Sequence, residues 1–240
     1  MRLSLLSVLF GVTAAMASSG ATTSLTLNGS AKLETGAQGT VLWLTAAQEG
    51  QAGSAFTTNA IVFGPKYRFG TFFQFQITDP GGLGDGADGM VFVIQAESAT
   101  ALGGSGGSEG YSGITPSVGV EFDTFENSRY ESNGNHVAIL TDGQLNDMDS
   151  QSPYGVTACV PATGVFGCMA NGDIWYVWID YDGANLHVAL ADNSATRPAD
   201  LIDYAIDLPS LLGQTSAFVG FTASTGAGYE NHLVAHWQFR

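Results

Sequence analysis

The residues best suited to chemistry lie together in residues 117–140, SVGVEFDTFENSRYESNGNHVAIL. Glu121 and Asp123 stand two apart. In an extended strand successive side chains alternate faces, so these two carboxylates share one surface while Val120 and Phe122 turn the other way into a core. Neighbouring carboxylates repel each other unless a proton or a cation sits between them. Asn127, Glu131 and His136 follow closely and add an amide oxygen, a third carboxylate and an imidazole. That donor set suits a divalent cation better than an acid/base pair. The bland alternative for Glu121 and Asp123 is a solvated sheet face.

The elements that must position these groups are strands. Gly accounts for 32 of 240 residues and charged residues for 12%, yet hydrophobic residues reach 45%, which is the composition of short apolar strands joined by Gly-rich turns. No stretch keeps a helical period, so the chain is all-β, an antiparallel sandwich or barrel. LTLNGSAKLET from Leu25 and VLWLTAA from Val41 predict two early strands, and Ala60 to Phe63 a third. In Phe69 to Thr78, Phe73 and Phe75 alternate against Phe72, Gln74 and Gln76. Met90 to Gln95 is apolar on both faces and predicts a central strand. Ala99 to Gly113 is Gly/Ser-rich and predicts a loop. Strands follow at Gly119 to Asp123 and His136 to Leu140, then a hairpin turning at Asp182-Gly183 between Ile174 and Asp192. Leu201 to Leu208 predicts a strand and Pro209 to Leu212 a helical turn. In the last of two final strands, Leu233, Ala235, Trp237 and Phe239 fall on one face and His232, Val234, His236 and Gln238 on the other.

Residues 1–17, MRLSLLSVLFGVTAAMA, have a cationic start, an apolar run from Leu3 to Ala15 and an A-x-A site, which predicts a secretory signal peptide. The run is well short of the roughly 20 residues a spanning helix needs. Residues 18–240 then form one domain of a secreted or periplasmic protein with no membrane span after cleavage. Net charge is −15, so phosphate backbones and anionic lipid surfaces are repelled and nucleic acid is not an expected partner. Cys159 and Cys168 close one short segment, CVPATGVFGC, and in an exported chain predict a local disulfide.

The order of motifs resembles the legume-type (L-type) lectins. The chain carries LNGSA, FFQFQI, ADGMVFVIQ, GGSGGSEGY, VGVEFDTFEN, NHVAI, WIDYDG and VGFTASTGAGYENHLVAHWQF in that order, across nearly all of residues 18–240. The resemblance implies a concanavalin A-like jelly roll, an antiparallel β-sandwich of two large sheets, that binds glycans without turning them over. It implies a transition metal, usually Mn2+, held by Glu121, Asp123, Glu131 and His136. It also implies a Ca2+ held by Asp123, the Phe125 carbonyl, Asn127 and Glu131. A cis peptide is implied between Ala87 and Asp88. Asp88, the Asn127 amide and a backbone N–H of the Gly-rich loop, assigned to Gly107, would bond sugar hydroxyls, and Phe125 would stack on the sugar ring. The loop through Ala227 and Gly228 would tune monosaccharide choice. Homo-oligomer formation, which in this family depends on strand edges, is left open. Two departures stand out: Glu131 where most members have Asp, and Glu109 where the Gly-rich loop usually has an apolar residue.

Two other functions compete. Glu121, Asp123 and Glu126 spell E-x-D-x-x-E, which looks like the catalytic strand of laminarinase-type hydrolases, where a bulge brings the last Glu to the ~5 Å carboxylate separation of retaining enzymes. That assignment leaves Asn127 and His136 without a role. The other is a sandwich that has lost sugar binding and serves as a structural or adhesive module. By itself Asp88 reads as a turn residue. Trp43, Trp175, Trp178 and Trp237 read as packing. His187, His232 and His236 have no acidic partners at ligand spacing and read as surface or satisfied core residues.

Overall fold

The structure, a computed structural model, describes residues 24–36, 39–64, 67–84, 86–127, 133–145, 156–157 and 169–240. The strands are numbered in chain order. Among the described residues one sheet runs β1 (Leu25–Gly29), β4 (Ala52–Thr57), β14 (Ser216–Ser224), β7 (Gly89–Gln95), β8 (Ser117–Asp123), β9 (His136–Thr141) and β10 (Val156–Thr157), with β5 (Ile61–Val62) also on β14. The other runs β13 (Ile202–Ala205), β12 (Asn185–Asp192), β11 (Trp175–Tyr181), β6 (Phe69–Gly82), β15 (Gly228–Phe239), β3 (Gly39–Thr45) and β2 (Lys32–Gly36). The pairs that build both sheets, such as β7 with β8, β8 with β9 and β11 with β6, are antiparallel.

Alternation along β6 builds the core. Phe73, Phe75 and Ile77 point between the sheets and meet Phe92 of β7, Phe122 of β8 and Phe221 of β14. The intervening Phe72 lies on the outer face against Trp178 and Tyr176. Trp175 and Trp237 pack into the core. Trp43 lies beneath Lys32 Nζ, 4.9 Å from its ring centre.

β7 is apolar on both faces because both are covered. On its outer side Val91 and Val93 join Ala101, Tyr111, Ile114 and Leu140, a second apolar cluster formed where the Gly-rich loop folds back over the sheet. The Tyr111 hydroxyl lies 2.8 Å from Ser117 Oγ and accepts the Gly143 N–H at 3.2 Å, which anchors that loop. The loop is therefore a roof, and Glu121, directly opposite Val91, lies under it.

Three sequence expectations are corrected here. LTLNGSAKLET does not form one strand. Its first half pairs with β4 in one sheet and its second with β3 in the other, the chain crossing between them after Gly29, whose φ is +60°. β4, AGSAFT, was not predicted, because its small residues lack the β-branched and aromatic signal of a strand. In β15 a register shift between Ala235 and Gln238, with His236 at φ +52°, interrupts the alternation. Val234, Trp237 and Phe239 therefore pack on the core, while Leu233 pairs with outward-facing Gln76. The helical turn is α1 (Leu208–Leu212), opened by Asp207 accepting the Ser210 N–H at 3.1 Å and closed by Gly213 in the left-handed region.

Candidate functional site

Register decides which groups meet. Asp123 pairs across to Gly89 on one side and to His136 on the other, and Glu121 pairs with Val91 and Ala138. Both carboxylates point outward, as alternation required, but neither is solvated: Glu121 and Asp123 are each 2% exposed. This overturns the solvated-face alternative, because the Gly-rich loop covers them.

Around this pair the donors gather. His136 Nε2 lies 3.7 Å from Glu121 Oε2, and its Nδ1 lies 2.8 Å from the Asn133 carbonyl, a contact of the kind that would orient an imidazole toward a metal. Asp123 Oδ1 accepts the Phe125 N–H at 2.7 Å, and the Asn127 side-chain amide donates to the Phe125 carbonyl at 3.2 Å. These contacts fold residues 123–127 into a tight turn with its oxygens close together. Ligand atoms of Glu109, Glu121 and Asp123 lie within 4.8 Å of one another, a spacing that fits one cation. Hard oxygens with a neighbouring imidazole fit Ca2+ and Mn2+ chemistry. Glu131, expected at both metals, lies outside the described residues, as do Cys159 and Cys168 and residues 1–17.

The residues expected at a sugar converge beside this cluster. The peptide between Ala87 and Asp88 is cis. The Asp88 N–H donates to the Ser224 carbonyl at 3.1 Å, and its carbonyl accepts the Thr124 N–H at 3.1 Å. The Asp88 side chain is 4% exposed, and Oδ2 has no hydrogen-bond partner among the described residues. Burial pushes its carboxyl up to about 6; His232 opposes the rise, Glu230 adds to it, and the Gly226 N–H and the Asn127 side chain also pull down. Gly107 lies against Asn127 so closely that a Cβ there would stand 2.6 Å from Asn127 Oδ1. The Gly106 N–H donates to the Thr225 carbonyl at 3.0 Å, which ties the Gly-rich loop to the segment carrying Ala227 and Gly228. Ala227 is exposed, and its carbonyl accepts the Leu83 N–H at 2.9 Å. The Phe125 ring is half-buried and lies over Gly84. Asp88, Gly107, Phe125, Asn127, Ala227 and Gly228 thus come from four segments to one place.

Sequence reasoning missed a buried polar network behind Asp88. Glu230 and His232 are fully buried. Glu230 Oε1 accepts the Thr124 hydroxyl and lies 3.1 Å from His232 Nε2, and His232 Nδ1 lies 2.7 Å from Thr45 Oγ1. The signal was present, since residues two apart on a strand share a face. His187 also has acidic neighbours, Asp200 at 3.3 Å, Asp203 at 3.6 Å and Asp182 at 3.8 Å, supplied by its hairpin turn and by the segment that forms the adjacent strand. Both findings correct the expectation that these imidazoles lack acidic partners.

A family model described as the legume lectin domain matches residues 13–240. The chain is similar to a putative L-type lectin-domain containing receptor kinase I.1 of Arabidopsis thaliana, 29% identical over 230 residues, covering 90% of this chain and 33% of that protein. It therefore spans about a third of the length of that relative. Among solved structures it is similar to basic winged bean lectin with Tn-antigen, with a TM-score of 0.69, 28% identity and coverage of 90% and 91% of the two chains. It is likewise similar to winged bean acidic lectin complexed with methyl-alpha-D-galactose, with a TM-score of 0.69, 25% identity and coverage of 90% and 91%.

Proposed function

The chain belongs to the legume lectin domain family, and from that premise we propose that it is a calcium-dependent carbohydrate-binding protein that holds a mono- or oligosaccharide without chemical change. The observation that carries this is the convergence of Asp88, Gly107, Phe125 and Asn127 directly beside the Glu121, Asp123 and His136 donors. Asp88 accepts hydrogen bonds from sugar hydroxyls, Asn127 and the loop N–H donate, and Phe125 covers an apolar ring face. When bound, Ca2+ and Mn2+ would supply fixed positive charge, against which residues 123–127 hold their carboxylate, carbonyl and amide oxygens. Glu121, Asp123, Glu131 and His136 would hold the transition metal, and Asp123, Asn127, Glu131 and the Phe125 carbonyl the calcium. The similar winged bean lectins are complexes with Tn-antigen and with methyl-alpha-D-galactose, which supports a glycan as partner.

The hydrolase alternative fares poorly against the geometry. Glu121 is buried beneath the Gly-rich loop while Glu126 is exposed, so the two carboxylates do not flank one accessible bond. No described helix is long and apolar enough to cross a membrane. The signal-like sequence of residues 1–17 supports a secreted or periplasmic location.

A glycan array probed with the protein in Ca2+ and Mn2+, and again after chelation, tests the proposal. The expected result is a set of glycans bound only with metal present. Binding to none would leave a structural or adhesive module, and turnover of a bound glycan would restore the hydrolase.

A further inference from the structure

We infer that Glu109 is an additional carboxylate ligand of the cation held beside Glu121 and Asp123, so that cation binding fastens the Gly-rich loop over the sugar site. The inference rests on the metal-dependent reading proposed above.

Three features of the structure carry it. First, Glu109 is 1% exposed, and its carboxylate meets those of Glu121 and Asp123 with ligand atoms within 4.8 Å of one another. Oxygens bound to one Ca2+ at about 2.3–2.6 Å lie at such separations from each other. A divalent cation among three buried carboxylates this close would convert their mutual repulsion into attraction.

Second, the backbone makes room for that carboxylate. Glu109 reaches down over the β7–β8 pair at Gly89, where a Cβ would lie 2.6 Å from Glu109 Oε1. A Cβ there would also lie 2.6 Å from the Phe122 carbonyl, and φ at Gly89 is +147°. Any larger residue at 89 would close the passage. Third, His136 stands on the same group of donors, with Nε2 3.7 Å from Glu121 Oε2 and Nδ1 held at 2.8 Å from the Asn133 carbonyl. An oriented imidazole beside hard carboxylate oxygens is a metal-type donor set.

The consequence for the site lies in what else the loop carries. The Glu109 N–H donates to the Gly106 carbonyl at 3.0 Å, so residues 106–109 form one tight turn. Gly106 is tied to Thr225 through its N–H at 3.0 Å, and its carbonyl accepts the Ser224 hydroxyl at 2.5 Å. Gly107 rests on Asn127. A cation bound by Glu109 thus joins the metal site to the loop N–H that faces the sugar, by a route separate from Asn127.

The test is calorimetric titration of Ca2+ and of Mn2+ into metal-stripped protein, for the wild type, Glu109→Gln and Glu109→Leu, with the metal-free melting temperature of each. Both variants are expected to bind at least one of the cations tenfold or more weakly. Glu109→Gln is also expected to melt at or above the wild-type temperature without metal, because it keeps the shape and removes a charge from the cluster. Unchanged affinity for both cations in the two variants overturns the inference. So does a parallel fall of affinity and metal-free stability in Glu109→Gln, the result of a merely structural role. A wild type that binds neither cation overturns the metal-dependent reading itself, whereas normal wild-type binding with unaffected variants overturns only the role of Glu109.

Discussion

Replacing Asp88 by Asn separates what this carboxylate does for sugar binding from what it does to the fold. Its side chain is 4% exposed, and burial raises its carboxyl from the ordinary 3.8 to about 6. At about 1.4 kcal/mol per pH unit, holding Asp88 ionised costs the metal-free fold on the order of 3 kcal/mol at neutral pH. The folded-state value lies above the unfolded one, so Asp88 contributes no penalty below about pH 4. The penalty grows as pH rises through about 6 and is complete above it. Asn has the same shape and no charge. In chelator, Asp88→Asn should therefore melt several degrees above the wild type at pH 7.5, at about 2–4 °C per kcal/mol for a chain of this size, and match it near pH 4. Sugar binding should move the other way. Each hydrogen bond to a charged acceptor is worth about 1.5–3 kcal/mol, so affinity of the metal-loaded variant should fall about 10- to 100-fold. The assays are thermal denaturation across pH in chelator and sugar titration with metal present. A variant that melts below the wild type at pH 7.5, or binds sugar as well, would refute this reasoning.

Other variants test the packing and the site wall. Phe122→Ala removes a fully buried ring 5.1 Å from Phe75 and 6.0 Å from Phe73, and should lower stability by about 3–5 kcal/mol in urea denaturation. Tyr111→Phe removes the hydroxyl that holds Ser117 and Gly143 under the Gly-rich loop. It should cost about 1–2 kcal/mol by the same measurement, with no change in the sheet signature by circular dichroism. Phe125→Ala strips a half-buried ring from the proposed sugar site, so affinity should drop about tenfold or more while the melting temperature moves by only a few degrees.

The parts of the fold legible in the sequence were those where side-chain period and strand geometry agree. Phe73 and Phe75 against Phe72, Gln74 and Gln76 placed β6 and its inner face, and the doubly apolar Met90 to Gln95 placed a central strand. The alternation of Glu121 and Asp123 with Val120 and Phe122 assigned the right faces. It was silent on burial, because the covering loop, although it directly precedes β8, has a Gly/Ser-rich composition that suggested exposure. Tyr111 was the clue within that loop, a large ring in a Gly/Ser stretch that needs something to pack against. The bulge at His236 left no advance signal, because a single extra residue in β15 exchanges faces without altering composition. The Glu230–His232 pair was visible as an i, i+2 spacing, but its partners Thr45 and Thr124 come from elements remote in the chain. Glu109 was visible as a departure from the family's pattern, and only the fold placed its carboxylate beside Glu121 and Asp123.

The central claim is that a metal-organised site around Asp88 and Asn127 holds a sugar. It is tested most directly by a crystal structure of the metal-loaded protein soaked with the strongest glycan from the array. The account predicts the sugar within hydrogen-bond distance of Asp88, Asn127 and the backbone at Gly107, with Phe125 against its ring and cations at Glu121, Asp123 and His136. A sugar bound elsewhere, such as on the outer face of the sheet that carries Phe72, Tyr176 and Trp178, or one seated at Asp88 with no cation at the carboxylates, would contradict it.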